Sequence, residues 1–498
     1  MTKKNLRNSG ILMHISSLPG KYGIGTFGKE AYSFIDFLQD AGQKLWQILP
    51  LGHTGYGDSP YQCYSAFAGN PLFVDTEMLI DEDLLKTSDI PHDINFEETE
   101  FDTFKTAEFI TPLLKKAIDN FHKSSSASDK EAFDLFCHQQ AYWLDDYALF
   151  ISLKKQFNNA PWYDWESGFR LREAVVIEKA RQALADEIRF QKTLQYIFFR
   201  QWMQLKSYAN EKGIKIMGDI PLYVAYDSAD AWANPDIFLF DKDRKPLAVA
   251  GVPPDYFSET GQLWGNPLYN WEHVKSHGFS WWIDRIKANF KLFDILRIDH
   301  FRGLSAFWAV PYGEETAIKG EWVPAPGMAL FETLLQELGP IPIVAEDLGV
   351  ITEDVELLRD TFSFPGMKIL QFAFDSSEDN EFLPHTYTRN CIVYTGTHDN
   401  DTTVGWYSAA TEEDKAFMHS YFNFKPEKVH WELIRLAWAS VAQTAIAPMQ
   451  DILGLGSEHR MNLPGKPTGY WKWRLDKSLI SPEISQRLKK ITEIYSRN

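Results

Sequence analysis

Short apolar runs that end in polar residues recur along the chain, and most are followed by a segment with apolar residues at helical spacing. Eight runs are found: GILMHIS (10–16), KLWQILPL (44–51), IKIMGDIPLYV (214–224), FDILRIDHF (293–301), IPIVAEDLG (341–349), MKILQFAF (367–374), CIVYTGTHDN (391–400) and TAIAPMQDIL (444–453). Such runs are typical of strands buried on both faces. Eight strands that alternate with helices predict an α/β fold, the (β/α)8 TIM barrel.

The segments between these strands supply the helices that a barrel needs. Residues 29–43 follow the first strand with apolar residues at helical spacing. Residues 352–362 follow the fifth strand, where Thr352 is placed to cap a helix and acidic residues occupy its first turn. Residues 468–498 are predicted to contain a final helix packed on the barrel.

Uneven spacing of the strands predicts insertions into a single catalytic barrel that spans 1–498. A mainly helical subdomain is expected at about 52–200, and helical patterns cover roughly 103–123, 128–156 and 174–212, the last of which includes a barrel helix. An inserted loop subdomain is expected at about 225–292 and a smaller insertion at about 303–330. All three leave from the C-terminal ends of strands, where the active sites of such barrels lie.

The charge balance indicates which classes of partner the chain can bind. The chain has 68 Asp and Glu against 50 Lys and Arg, a net charge of -18, so nucleic acid and anionic membranes would be repelled on average. Aromatic residues make up 15% of the chain, with 17 Trp, and some of these rings could stack on sugars as well as fill the core. A neutral ligand such as a sugar fits this composition.

The cysteine usage and the N-terminal residues bear on location. Cys63, Cys137 and Cys391 are an odd number, lie far apart and lack CxxC spacing, which favours a reducing compartment. Neither a signal peptide nor an apolar run of about 18 residues is found. We therefore expect a cytoplasmic protein without a membrane partner, and a monomer, since no amphipathic heptad stands out.

Carboxylates follow or end four of the predicted strands. Asp219 ends the third strand, Asp299 the fourth, Glu346 and Asp347 the fifth, and Asp399 the seventh. A single acid of this kind is more often a helix cap or an ion-pair partner, but several acids on one rim repel one another unless function requires them. The sequence therefore predicts a site at this rim.

Two carboxyl groups that flank a sugar bond are sufficient for glycoside chemistry, one as nucleophile and one as proton donor. Arg297 lies two residues before Asp299, so both side chains share one face of the strand, and the guanidinium is expected to keep Asp299 ionised. Glu346 follows the apolar IPIVA among negative neighbours, so a raised pKa and an acid role are expected for it.

Several motifs are specific enough to indicate a family. GDIPLYV, LRIDHFRG, VAEDLG and YTGTHDND resemble the four strand-end signatures of the α-amylase clan. The segments at 49–71 (LPLGHTGYGDSPYQCYSAFAGNP), 251–271 (GVPPDYFSETGQLWGNPLYNW) and 460–465 (RMNLPG) resemble the 4-α-glucanotransferases called amylomaltases or disproportionating enzymes. The resemblance runs from about residue 9 to about residue 475.

This resemblance implies a role for individual residues. Asp299 would be the nucleophile, Glu346 the general acid/base and Asp399 the stabiliser of the transition state. The substrate-binding residues that it implies, with Asp219 as a supporting residue, are Tyr61, Asp219, Tyr256, Gln262, Trp264, Arg297, Asp375, His398 and Asn462. His300 would face away from Asp299 if the strand continued.

The carboxylates alone do not decide between hydrolysis and transfer. The 251–271 segment supplies five aromatic residues, which could anchor an ordinary surface loop or roof the acceptor side and exclude water. The expected function is transfer of α-1,4-glucan segments to the 4-OH of a glucan or glucose by a retaining mechanism; the alternative is an α-glucan hydrolase of the same clan.

Two other classes of protein are weighed against an enzyme of this clan. A glucan-binding barrel without activity would not need all three acids, and a metal-dependent barrel is disfavoured because HxH and HExxH patterns are absent. No cofactor and no metal site are expected. The partners expected are maltooligosaccharides, with glucose as an acceptor.

Overall fold

The structure, a computed structural model, describes residues 7–91, 94–254, 258–375, 380–423, 427–466 and 468–497. These ranges contain twelve strands: β1 (Asn8–Leu12), β2 (Leu45–Gln47), β3 (Lys215–Ile220), β4 (Ala248–Val252), β5 (Gln262–Pro267), β6 (Ile295–Ile298), β7 (Ala306–Pro311), β8 (Glu321–Pro324), β9 (Ile343–Ala345), β10 (Gly366–Ile369), β11 (Cys391–Tyr394) and β12 (Thr444–Pro448). Eight of them form one sheet in the order β10-β11-β12-β1-β2-β3-β6-β9. Each overlaps one of the eight predicted runs.

All neighbouring strands of this sheet are parallel, and the chain order around it is that of a (β/α)8 barrel. Residues such as Ile11, Trp46 and Ile216 are fully buried, as expected for strands covered on both faces. The predicted fold class is confirmed.

The sheet closes between β9 and β10, at a place that we call the β9–β10 seam. Here the Ala345 N–H donates to the Pro365 carbonyl at 3.0 Å, and the Met367 N–H donates to Oδ1 of Asp347 at 2.7 Å. A Cβ on Gly366 would lie 2.2 Å from Oδ2 of Asp347, so a larger residue is excluded at this position. Asp347 therefore joins two strands that share few backbone hydrogen bonds.

The helices surround the barrel and fill the long connections. They are α1 (Lys29–Asp40), α2 (Thr76–Asp81), α3 (Thr103–Ser124), α4 (Ala127–Gln156), α5 (Ser167–Arg170), α6 (Ala174–Ala183), α7 (Ala185–Glu211), α8 (Ala229–Ala233), α9 (Trp271–Ser276), α10 (Ser280–Leu292), α11 (Gly327–Leu338), α12 (Glu353–Thr361), α13 (Thr403–Ala409), α14 (Glu412–Phe422), α15 (Val429–Ala439), α16 (Met449–Leu453) and α17 (Pro482–Ile494). The helix predicted at 29–43 corresponds to α1, which buries Phe34, Ile35 and Leu38.

Two details of the predicted helices differ from the structure. The pattern at 174–212 is divided into α6 and α7 at Leu184, whose φ of -104° and ψ of 16° depart from helical values. Thr352 occupies the position before α12, but its side chain makes no capping hydrogen bond to the helix backbone. The acidic residues predicted for the first turn are present as Glu353, Asp354 and Glu356.

The segments from the second and third insertions meet in a second sheet. This sheet is antiparallel and has the order β5-β4-β7-β8, so it combines strands from both sides of β6. The sequence was expected to form separate insertions here, and the short strands were missed because they are rich in glycine, proline and alanine. The division of the chain into subdomains stays a prediction.

The chain ends against the barrel, as predicted for 468–498. Helix α17 packs on α1 and α15. The guanidinium of Arg497, which is fully buried, donates to the carbonyls of Trp438 at 2.7 Å, Ala442 at 3.0 Å and Ser440 at 3.1 Å. These bonds attach the C-terminal residues to the end of α15, whose last carbonyls need partners.

Two kinds of feature are absent from the ranges that the structure describes. No helix there is long and apolar enough to cross a membrane. No group of three or more His, Cys, Asp or Glu side chains in the same ranges is arranged to hold a metal ion. The expectation that no metal and no cofactor take part stays a prediction.

Candidate active site

Four barrel strands bring acidic side chains to one rim. Asp219 lies in β3, and Asp299, Glu346 and Asp399 follow β6, β9 and β11. Because these strands are parallel, their C-terminal ends lie at the same end of the barrel.

Arg297 joins two of these carboxylates. Its Nη1 lies 2.6 Å from Oδ2 of Asp219, and its Nη2 lies 3.0 Å from Oδ1 of Asp299. The contact with Asp299 follows from strand alternation and was predicted, whereas the shorter contact with Asp219 was not. Burial disfavours the cation, but the two carboxylates hold the pKa of Arg297 well above its usual value.

Asp219 is almost fully buried between two donors. Its Oδ2 accepts from Arg297 and, at 2.7 Å, from the hydroxyl of Tyr61. Burial raises the pKa of Asp219 to about 7; Arg297 opposes this rise and Asp299 adds to it. Asp219 thus contacts two other residues of the site, and its supporting role stays a prediction.

Glu346 is held by backbone donors in a buried position. The His300 N–H donates to Oε2 at 2.6 Å, and the Leu348 N–H donates to Oε1 at 3.1 Å. The first bond forms because β6 ends at Ile298 and the chain turns at His300, where φ is 53°. Burial, with the negative charge of Asp299 as a second cause, raises the pKa of Glu346 to about 8. The upward shift expected from the sequence is therefore present.

The effect expected of Arg297 on Asp299 is only partly right. The guanidinium does oppose a rise, but burial is the larger influence, and Asp399 adds to it, so the pKa of Asp299 is raised. The sequence places Arg297 beside Asp299 but does not report how completely both groups are removed from water. Between the two acids, Glu346 is the one whose pKa reaches about 8 and which holds a proton at neutral pH.

Asp399 is fixed by residues from the segment after α16. The side-chain amide of Asn462 donates to Oδ1 at 2.7 Å, and Arg460 donates to the Asp399 carbonyl at 3.0 Å and to the Asn462 carbonyl at 2.7 Å. Nε2 of His398 lies 3.3 Å from Oδ2 of Asp399. Asn462 was expected to bind substrate, and the structure places its amide on a carboxylate of the rim.

Aromatic rings line one side of these carboxylates. The ring of Tyr61 stacks on His398 with centroids 5.3 Å apart and an interplanar angle of 14°. Trp471 lies 5.9 Å from Tyr61 and 5.7 Å from His398. Arg460 and Trp471 were not among the predicted site residues; Arg460 stands in the quoted RMNLPG motif, whereas nothing distinguishes Trp471 among 17 tryptophans.

The predicted lid is described in part. The indole N–H of Trp264 donates to Oε1 of Gln262 at 3.2 Å, and its ring lies edge-on to His300 at 4.7 Å. His300 also donates to Glu346, so His300 lies between this part of the loop and the proton carrier. Tyr256 lies outside the described residues. Asp375 follows β10 and is exposed, and its role stays a prediction.

Comparisons with known proteins agree with this geometry. A family model described as 4-alpha-glucanotransferase matches residues 13–479. A 4-alpha-glucanotransferase of Clostridium butyricum is 49% identical over 97% of this chain and all of its own length, and one of Synechocystis sp. is 50% identical over 99% of this chain and 98% of its own.

The chain belongs to the 4-alpha-glucanotransferase family. A solved structure, the amylomaltase from Streptococcus agalactiae in complex with acarbose, is 43% identical, covers 99% of this chain and all of its own, and superposes with a TM-score of 0.96. The resemblance found in the motifs is thus confirmed over the whole barrel. The carboxylates at the rim are therefore the candidate catalytic groups of a 4-alpha-glucanotransferase.

Proposed function

We propose that this chain transfers α-1,4-glucan segments from a donor to the 4-OH of an acceptor glucan or glucose by a retaining double displacement. The observation that supports this most directly is the contrast between two carboxyl groups: Asp299 faces Arg297, and Glu346 has a pKa of about 8. Retaining glycoside chemistry requires an ionised nucleophile and a protonated acid at such positions.

In the first displacement, Asp299 attacks the anomeric carbon of the donor sugar. A bond forms between the carboxylate oxygen and that carbon, the glycosidic bond breaks, and the leaving oxygen takes the proton of Glu346. Arg297 and His398 surround Asp299 and are the groups proposed to contact the sugar at this position. Asp399 stabilises the positive charge that develops on the sugar ring.

In the second displacement, the 4-OH of the acceptor attacks the same carbon. Glu346, now ionised, takes the proton of that hydroxyl, and the bond to Asp299 breaks. Two inversions restore the α configuration. We assign Asn462 and Arg460 to holding Asp399, since both donate to it.

Transfer in place of hydrolysis requires that a sugar displaces water from the acceptor side. Trp264 contacts His300, which donates to Glu346, so its indole borders the place where the leaving group departs and the acceptor enters. We assign Gln262, Trp264, Tyr256 and Asp375 to binding the glucan around this place, and Tyr61 to stacking near the reacting sugar.

Incubation with maltotriose tests the proposal. Transfer yields glucose and longer oligosaccharides with a constant number of reducing ends. A net growth of reducing ends would favour the alternative, an α-glucan hydrolase. Asp299→Asn is the matched control: it should lose turnover while its thermal unfolding midpoint stays near that of the parent chain.

We also propose that the protein is a cytoplasmic monomer without a nucleic-acid or membrane partner. The net charge of -18 supports the absence of those partners, and three cysteines that are all free support a reducing compartment, whereas the monomer is proposed because no amphipathic heptad stands out in the sequence. Sedimentation equilibrium tests the oligomeric state, and a dimer mass would contradict it.

A further inference from the structure

A buried histidine outside the carboxylate group, His14, follows β1 at the catalytic end of the barrel. Its Nδ1 accepts a hydrogen bond from the Leu49 N–H at 3.3 Å. Burial lowers the pKa of His14 to about 3, so the ring is neutral at physiological pH. A neutral imidazole whose Nδ1 accepts carries its proton on Nε2, and Nε2 is then a donor.

A second histidine, His398, has one ring nitrogen without a hydrogen-bond partner among the described residues. Its Nε2 lies 3.3 Å from Oδ2 of Asp399, a contact that favours a proton on Nε2 because two acceptors would repel each other. Nδ1 is then an acceptor. This atom is buried, and none of the protein groups in the described ranges makes a hydrogen bond with it. Buried acceptors in native proteins almost always have a partner.

A cavity of about 20 Å³ is lined by both His14 and His398. A cavity of roughly 10–15 Å³ is needed to hold one water, and the water needs two to four polar partners. Ser17 and Gln450 also line the cavity and supply further polar groups. Asp399, the contact of Nε2 of His398, is not among the lining residues, whereas His398 itself is.

We propose that His14 is a positioning residue that donates from Nε2 to one water in this cavity, and that the water donates to Nδ1 of His398. This bridge holds His398 as the tautomer with its proton on Nε2, directed at Asp399 and at the bound sugar. Which nitrogen of a histidine carries the proton is commonly set by the hydrogen bond of the other nitrogen. The catalytic consequence rests on the function proposed above, whereas the tautomer does not.

Two substitutions distinguish the loss of the hydrogen-bond donor from the loss of the side-chain shape. His14→Gln keeps an amide N–H near the position of Nε2. His14→Asn keeps only a group near the position of Nδ1, so it can still accept from Leu49 but cannot reach the water. Thermal unfolding midpoints of both variants, measured beside the parent chain, report whether the fold is retained.

The primary readout is the pair of ring-nitrogen resonances of His398 in protein labelled with 15N-histidine. They are assigned by their loss in His398→Asn. The parent chain and His14→Gln should show a protonated Nε2 and an unprotonated, hydrogen-bonded Nδ1. His14→Asn should shift both resonances towards the other tautomer. This readout does not depend on transferase activity, so it decides the inference even if the proposed function fails.

The kinetic readout is kcat and KM with maltotriose. His14→Asn should lower kcat/KM by about tenfold to a hundredfold, the range usual when a hydrogen-bond partner that orients a metal-bound histidine is removed, and His14→Gln should recover most of it. A parent chain with the proton of His398 on Nδ1 would overturn the proposal. So would a loss of activity in His14→Asn without a change in the His398 resonances, because that loss would come from packing alone.

Discussion

Removal of the Arg297 guanidinium should destabilise the protein in a way that depends on pH. Arg297 is 3% exposed and lies 2.6 Å from Asp219 and 3.0 Å from Asp299. Removal of one partner from a buried ion pair costs about 3–5 kcal/mol. In Arg297→Met, both carboxylates lose the charge that opposes the effect of burial on their pKa values.

The sign follows from the pKa of Asp219. It is about 7 in the folded protein, against 3.8 for an unperturbed aspartate, although Arg297 is present. A carboxyl group whose pKa is higher in the folded state loses stability as pH rises between its two pKa values, at about 1.4 kcal/mol per pH unit. In the parent chain this loss ends near pH 7, whereas the higher pKa in Arg297→Met extends it. The difference should be small at about pH 6 and reach about 2 kcal/mol from Asp219 alone at about pH 8.5, since the loss of about 1.4 kcal/mol per pH unit continues above pH 7 only in the variant.

Urea denaturation followed by tryptophan fluorescence at these two pH values measures the difference. Addition of Asp219→Asn to Arg297→Met should recover a large part of the stability, since a neutral amide needs no cation. Arg435→Met is the matched control: its pair with Glu432 is partly exposed, and about 0–1 kcal/mol should be lost at both pH values. An equal loss for Arg297→Met at both pH values would refute the reasoning.

Three further outcomes are expected. Trp264→Ala should raise the share of hydrolysis in the maltotriose products, because water gains access beside His300. The control Trp322→Ala, on the second sheet, should leave that share unchanged, and equal product profiles for both variants would count against the lid. The kcat/KM of the parent chain should fall as pH rises through about 8, where Glu346 loses its proton, and a profile flat to pH 10 would contradict the acid role. Arg497→Ala should lower the free energy of unfolding by about 3 kcal/mol through loss of its hydrogen bonds to buried carbonyls. The exposed control Lys490→Ala should change it by less than about 0.5 kcal/mol, and similar urea midpoints for the two variants would contradict this.

The barrel could be predicted from the sequence because each of its strands is a short run buried on both faces. The second sheet could not, since β4 (Ala248–Val252) is built largely of Ala and Gly, which are weak strand formers, and β8 (Glu321–Pro324) has only four residues. The pairing of β4 with β7 depends on contacts between two distant insertions, and no local pattern reports such contacts.

The contacts of the candidate site, likewise, could be predicted only in part. The approach of Arg297 to Asp299 follows from alternation along one strand and was predicted. The hydrogen bond from Asn462 to Asp399 joins residues 63 positions apart, and its existence depends on how the segment after α16 returns to the rim. The sequence argument considered the charge of Arg297 beside Asp299 but not burial, which is the larger influence and raises the pKa of Asp299.

The central claim is that Asp299 forms a covalent bond with the donor sugar. The variant Glu346→Gln, incubated with an α-maltosyl fluoride, tests this most directly, because fluoride leaves without a proton and the missing base slows the second displacement. Mass spectrometry of the intact protein and its peptides should find a maltosyl adduct on the peptide that contains Asp299, and Asp299→Asn should prevent it. An adduct on another residue, or none with fluoride still released, would contradict the double displacement.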